Sequence, residues 1–336
     1  MFNKQQVKPT LQKIPIDHFI TESGKAISIQ LSYQLFGQPL FEAPIVLVNH
    51  ALTGNSNVCG DTGWWKDLIG DGKAIDTKYY TVLAFNIPGN GYDGFLIENY
   101  QDFNAKDIAK LFLVGLEKLK INKLFAIIGG SLGGGIAWQM AVLHPTICTH
   151  LIPIASDFRA TDWLIANCKI QEQFLNNSSN PIHDARMHAM LLYRTPASFN
   201  NRFNRTKNAD LKIFNIESWL LHHGKKLQKR FQLSAYKLMN HLLKSIDVTK
   251  ENESSINILS TIKSSIHMVS VDSDLFFTAE ENLHTFIALF KVKNNIAYSE
   301  IKSLHGHDAF LIEFEQLATI IEPIFKTKSV LKSVTL

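Results

Sequence analysis

The sequence predicts an α/β protein: a doubly wound, mostly parallel sheet interrupted by an all-helical cap. Three observations carry this. Short apolar runs without polar alternation recur between helical segments, the pattern of strands buried on both faces. From about Asp157 to Ser254 the strand signal vanishes and only helical spacing remains. The strand–helix rhythm then returns and continues to the end. The 336 residues therefore divide into a first part of the core (1–156), a helical cap (157–254) and a second part of the core (255–336).

The elements follow in order. Ile27 to Leu35 alternates as an outer strand, whereas Ala43 to Asn49 and Thr81 to Asn86 are short apolar runs typical of buried strands. The second run ends in the turn signal Pro88-Gly89-Asn90-Gly91. Asn104 is placed to cap a helix whose face is Ile108, Leu111, Phe112, Leu116 and Leu119. A strand at Lys123 to Ile128, a helix from Gly133 to Leu143 and a strand at Leu151 to Ala155 complete the first part. Helical spacing in the cap covers Asp162–Leu175, Asp184–Tyr193, Glu217–Phe231 and Leu233–Ile246. Beyond it come a strand at Ile266 to Val271, a helix from Glu280 to Phe290, a strand at Ile296 to Ile301 and a helix from Phe310 to Ile324. The polar stretches at Asn176–Asn180 and Glu251–Ser255 read as loops.

Composition narrows the function classes. Thirty-four Lys and Arg against 30 Asp and Glu leave +4, spread along the chain, which does not suit nucleic acid but tolerates a small anion. No apolar run approaches the roughly 20 residues of a membrane span. The first ten residues lack the apolar core of a signal peptide, so the cytoplasm is the expected compartment. Cys59, Cys148 and Cys168 are scattered, with no C-x-x-C, and predict neither a disulfide framework nor a thiolate metal site.

The sharpest motif is Gly129-Gly130-Ser131-Leu132-Gly133. Alone, G-x-S-x-G is weak, and its glycine richness invites comparison with a phosphate loop. It lacks G-K-[ST], and its glycine spacing does not match G-x-G-x-x-G. An apolar strand runs into it and an apolar helix leaves it, the setting of a nucleophile elbow with Ser131 at the helix N-terminus. A serine hydroxyl needs a base, and the base an orienting acid. After the later strands stand Asp272 and Asp274, then His305 and His307, in the order Ser, Asp, His; one of each pair should serve. The backbone N–H of Leu132, and that of Leu52 in the loop after the Ala43 strand, are the candidate oxyanion donors. His50 in that loop reads as structural. His305-Gly-His307-Asp308 also resembles the start of a two-zinc signature, but no histidine follows Asp308 and no metal is expected.

At this point several stretches match one group. His50-Ala-Leu-Thr-Gly, Gly63-Trp-Trp through Lys78-Tyr-Tyr, Gly129-Gly-Ser-Leu-Gly-Gly, Asp272-Ser-Asp-Leu-Phe and His305-Gly-His-Asp-Ala-Phe-Leu resemble the MetX-like homoserine O-acetyltransferases of the α/β-hydrolase fold. The resemblance runs from about Ser32 to the last helix. It implies Ser131 as nucleophile, Asp274 as acid and His307 as base. It further implies Arg186 and Tyr193 on a cap helix, with Arg186 holding the substrate carboxylate and Asp308 its ammonium group. Acetyl-CoA and L-homoserine would be the substrates and a homodimer the assembly, with no resident cofactor. An esterase of the same fold, or a transferase specific for serine or succinyl-CoA, is the alternative. Two segments depart from the family pattern: Pro88 to Gly94, and a short stretch between Gln173 and Arg186. Lys225, Lys226, Lys229 and Arg230 read as a solvated helix face.

Overall fold

A computed structural model describes residues 10–249 and 253–326. All but the last residue of the segment read for a signal peptide, residues 250–252 with the first two of the polar loop, and the last ten residues of the core lie outside these.

The strands are β1 (Gln12–Ile20), β2 (Ala26–Gly37), β3 (Ile45–Asn49), the two-residue β4 (Ile69–Gly70) and β5 (Ile75–Asp76), β6 (Thr81–Phe85), β7 (Leu124–Gly130), β8 (Cys148–Ile154), β9 (Ser265–Val271) and β10 (Ile296–Ile301). Eight of them form one sheet in the order β1-β2-β6-β3-β7-β8-β9-β10, while β4 and β5 pair separately. From β6 to β10 every pairing is parallel; β1 and β2 form an antiparallel edge. Two faces explain the apolar runs. In β3, Val46 and Val48 enter one core cluster and Ile45 and Leu47 the other; in β6, Val82 and Ala84 oppose Leu83 and Phe85.

Helix α1 (Ala105–Lys118) starts on the expected Asn104: its side chain accepts from Asp107 N–H (3.0 Å), and the Asp107 carboxylate accepts from Asn104 N–H (2.9 Å). Asp107 also accepts from Glu22 N–H at 2.7 Å, tying the β1–β2 turn to the helix. Helix α2 (Leu132–Leu143) is buried on nearly every side, so it shows no polar face.

Between β8 and β9 lie α3 (Asp162–Asn177), α4 (Pro181–Tyr193), α5 (Pro196–Phe203), α6 (Asn215–Gln228), α7 (Leu233–Lys244) and α8 (Ser255–Ser260). The two legs of the insertion are stitched together: Ala160 N–H donates to Ile246 O (2.7 Å) and Val248 N–H to Phe158 O (3.2 Å). The stripe Leu238, Met239, Leu242 and Leu243 of α7 is buried, as its spacing predicts. Helices α9 (Ala279–Phe290) and α10 (Phe314–Phe325) complete the fold.

Four differences from the sequence reading stand out. β1 has no counterpart in it, because Pro15 and a bulge at His18 (φ 54°) break its alternation. α5 and α8 are too short to show a period. The last helix begins at Phe314, not Phe310; Gly306–Leu311 is a separate 3₁₀ turn. And α6 stops at Gln228, so Lys229 and Arg230 lie beyond it.

Candidate active site

The elbow is built by backbone crowding. Ser131 sits at φ 56° and ψ −125°, in the region that favours glycine, which costs a side-chain-bearing residue on the order of 1–3 kcal/mol. Its neighbours leave no slack. A Cβ on Gly133 would lie 2.2 Å from Asn49 O, and one on Gly129 would lie 2.4 Å from Gly133 O. Ser131 N–H donates to Ile154 O at 2.9 Å, so β8 holds the turn from the side.

Above the carboxyl ends of the strands the relay is closed. His307 Nε2 lies 2.9 Å from Ser131 Oγ, and His307 Nδ1 lies 2.7 Å from Asp274 Oδ2. All three residues are buried. Asp274 Oδ1 accepts from Phe276 N–H (2.6 Å) and Phe277 N–H (3.0 Å), which fixes the carboxylate without another ion. The imidazole lies among Tyr193, Phe276, Phe277 and Phe310, with ring centroids 5.2–5.8 Å away. Asp272, the alternative acid, instead accepts from Ser303 N–H (3.0 Å). His305 faces Ser198 Oγ at 3.0 Å.

Among the described residues the N–H groups of Leu52 and Leu132 donate to no protein acceptor. That leaves both available for a developing oxyanion. The Leu52 loop is pinned to the elbow: Asn49 pairs with Gly129, and Asn49 Nδ2 donates to Gly133 O at 3.4 Å. His50 is fully buried, and burial lowers its pKa to about 4, so it is neutral at pH 7.

The cap brings a cation against Tyr193, whose ring faces His307. Arg186 lies over the Tyr193 ring at 5.3 Å, and no described carboxylate comes within ion-pair reach of it. Burial, then the charges of Arg186, His222, Lys226 and Arg194, push His223 down to about 4. Tyr193 is driven upward chiefly by burial and stays protonated. Asp308, by contrast, already has a partner: its Oδ2 accepts from Arg194 Nε at 3.0 Å, with both side chains largely buried. Oδ1 of Asp308 receives no bond from a described residue. The Arg194 guanidinium thus lies between Asp308 and His305, whose Nδ1 is 3.5 Å from Arg194 Nη1.

Arg194 was not singled out from the sequence, although it directly follows Tyr193; nothing local marks its partner 114 residues away. Phe277 was equally unmarked, and Phe276 stood only as the last residue of the Asp272-Ser-Asp-Leu-Phe stretch. Arg230 is exposed, as the solvated-face reading expects, but lies past the helix end, where its guanidinium also donates to Thr53 O at 3.1 Å, beside the Leu52 loop.

Comparison with known proteins agrees with this architecture. A family model described as the alpha/beta hydrolase fold matches residues 44–279. A homoserine O-acetyltransferase of Cyclobacterium marinum is 32% identical over 335 residues, covering 90% of this chain and 92% of that protein. That of Nautilia profundicola is 31% identical, covering 91% and 95%. Among solved structures, homoserine O-acetyltransferase from Bacillus anthracis has a TM-score of 0.83 at 18% identity, covering 95% of this chain and 98% of that one. Esterase E22 has a TM-score of 0.84 at 19% identity, covering 95% and 100%. At such identities the structural likeness speaks for the fold alone, which both transferases and esterases share.

Proposed function

The chain belongs to the homoserine O-acetyltransferase family of the α/β-hydrolase superfamily, and from that premise we propose that it carries acetyl from acetyl-CoA to the hydroxyl of L-homoserine, a step of methionine biosynthesis. The observation that carries the reading is a closed Ser131–His307–Asp274 relay whose histidine faces Tyr193, the ring that carries the Arg186 guanidinium, a cation with no carboxylate partner among the described residues.

The reaction runs in two halves. His307 Nε2 takes the Ser131 proton as Oγ attacks the thioester carbon, and Asp274 steadies the imidazolium. The Leu52 and Leu132 N–H groups hold the oxyanion, and its collapse expels the CoA thiolate, which takes the proton from His307. The homoserine hydroxyl then gives its proton to His307 and attacks the acetyl carbon. Ser131 Oγ leaves and recovers the proton, so no water is consumed. Arg186 receives the substrate carboxylate in the bidentate manner of a guanidinium, and Asp308 receives the ammonium at Oδ1. Neither a metal nor a resident cofactor takes part, and the enzyme works as a cytoplasmic homodimer.

Water is the competitor. Transfer prevails where the acceptor is oriented and bulk water is kept from the acetyl-enzyme, a matter of effective concentration. The aromatic side chains around His307 and the helical insertion supply that shelter. Acetyl-, propionyl- and succinyl-CoA, each offered with homoserine, serine or water, test the reading through thiol release and product mass. O-acetylhomoserine should dominate; free acetate formed at the same rate with and without homoserine would replace the proposal with an esterase.

A further inference from the structure

A buried histidine that the relay does not use lies directly under the oxyanion loop. Ile87 N–H points at His50 Nε2 from 3.0 Å, and Asn90 Nδ2 stands 3.3 Å from the same nitrogen. A backbone N–H can only donate, so Nε2 is an acceptor and the neutral ring carries its proton on Nδ1. That proton faces Ala51 O at 2.8 Å. Gly54 N–H donates to the same carbonyl at 2.9 Å, closing a turn. The Ala51 carbonyl and the Leu52 N–H belong to one planar trans peptide, so they point in opposite directions. Fixing the carbonyl toward His50 therefore fixes the Leu52 N–H away from it.

We propose that His50 is a positioning residue for the oxyanion hole: its Nδ1–H anchors the Ala51–Leu52 peptide so that the Leu52 N–H is presented to the oxyanion on the acyl group at Ser131. The support beneath it is polar and wholly buried. Asn86 Oδ1 accepts from Ser56 N–H (2.8 Å), and Asn86 Nδ2 donates to Ser32 Oγ (2.9 Å) and Ser56 Oγ (3.0 Å). Asn90 Nδ2 reaches both His50 and, at 3.4 Å, Asn86 Oδ1. Asn90 belongs to the Pro88–Gly94 segment, which thereby reaches the underside of the Leu52 loop. Burial keeps the ring neutral throughout the physiological range, and the Ile87 N–H holds it in the required tautomer.

The inference rests on Ser131 as the nucleophile, and two amide variants separate its parts. In His50→Asn the side-chain NH₂ falls near the Nδ1 position and can still donate to Ala51 O, but nothing reaches Ile87. In His50→Gln the amide reaches the Nε2 position and can accept from Ile87 N–H, but no donor remains for Ala51. Because Gly54 still holds the carbonyl, His50→Gln should lose about 30–100-fold in kcat with p-nitrophenyl acetate, somewhat less than removal of a whole oxyanion donor, at little change in KM. Affinity for an acetyl trifluoromethyl ketone, which forms a tetrahedral oxyanion, should fall in parallel. His50→Asn should recover most of both losses while melting lower than His50→Gln. Equal losses in the two variants, or a kcat loss without the affinity loss, would overturn the proposal. Should His50→Gln not fold, imidazole ¹⁵N spectra of the wild type still decide, since a proton on Nε2 of His50 is incompatible with it. Failure of wild-type Ser131 to become acetylated would end the proposed function instead; acetylation of wild type with an unimpaired His50→Gln would end only the present inference.

Discussion

Ser131 and Arg186 belong to regions built by opposite rules. Around Ser131, backbone packs on backbone: Gly129 and Gly133 admit no Cβ, β8 bonds the serine N–H, and every residue of the relay is buried. Around Arg186, contacts are made by side-chain tips, through a tyrosine face and neighbouring cations, with a charge left unmatched. The first region fixes where atoms react and leaves no room for adjustment. The second leaves a charge open for a ligand to complete. On the proposed function, chemistry falls where backbone is most closely packed and selection where side chains meet at their tips.

The largest expected effect tests the rigid side. Asp274→Asn keeps the shape of the site, but its Oδ1 must still accept from Phe276 and Phe277, which turns the amide NH₂ toward His307 Nδ1. The proton then belongs on Nε2, facing Ser131, and kcat should drop about 10⁴-fold with little change in Tm. Retained activity would show that another group orients the base.

Gly133→Ala probes the same region through stability. The added methyl meets the carbonyl of Asn49 at the end of a central strand, which cannot yield as a flexible side chain would. A loss of about 3 kcal/mol in urea unfolding is expected, against about 1 kcal/mol at an open glycine such as Gly60.

On the cap, Arg186→Met should raise the acceptor KM about 100-fold while leaving acetylation of Ser131 by acetyl-CoA nearly intact. A comparable loss in acylation would place Arg186 in the first half-reaction and blur the division between the two regions.

The smallest effect lies away from both. His150 Nδ1 and His267 Nε2 face each other at 3.1 Å on adjacent strands. Burial first, and then His150, lowers His267 to about 4. The unfolded chain binds its proton near 6.5, so this stability is fully present above about pH 6.5 and is lost as pH falls toward 4. His267→Gln, which retains a group at the Nε2 position, should flatten the fall of Tm between pH 6.5 and 4.5 by about 2 °C. An unchanged slope would remove the pair from the acid response.

Much of the fold was legible because its signals are local. Strands buried on both faces leave continuous apolar runs, Asn104 caps α1 through Asp107 three residues on, and the elbow is written in five consecutive residues. The unread elements are equally explicable. β1 owes its place to pairing with β2 in spite of Pro15, and α5 and α8 are too short for a period. At the site, two aspartates and two histidines stood in sequence order with nothing local to separate them. Their environments differ sharply in space: Asp274 meets His307, whereas Asp272 accepts from Ser303 N–H; His305 turns to Ser198.

By itself the sequence determined the layered α/β architecture, the helical insertion and the strained serine turn, since each depends on the size and polarity of residues a few positions apart. Tertiary structure alone decided the rest. It set His307 against a hydroxyl 176 residues away, gave Asp308 the Arg194 guanidinium and brought the Ile87 N–H to His50. These pairings are made across strand ends and helix packing, where distance along the chain carries no information about distance in space.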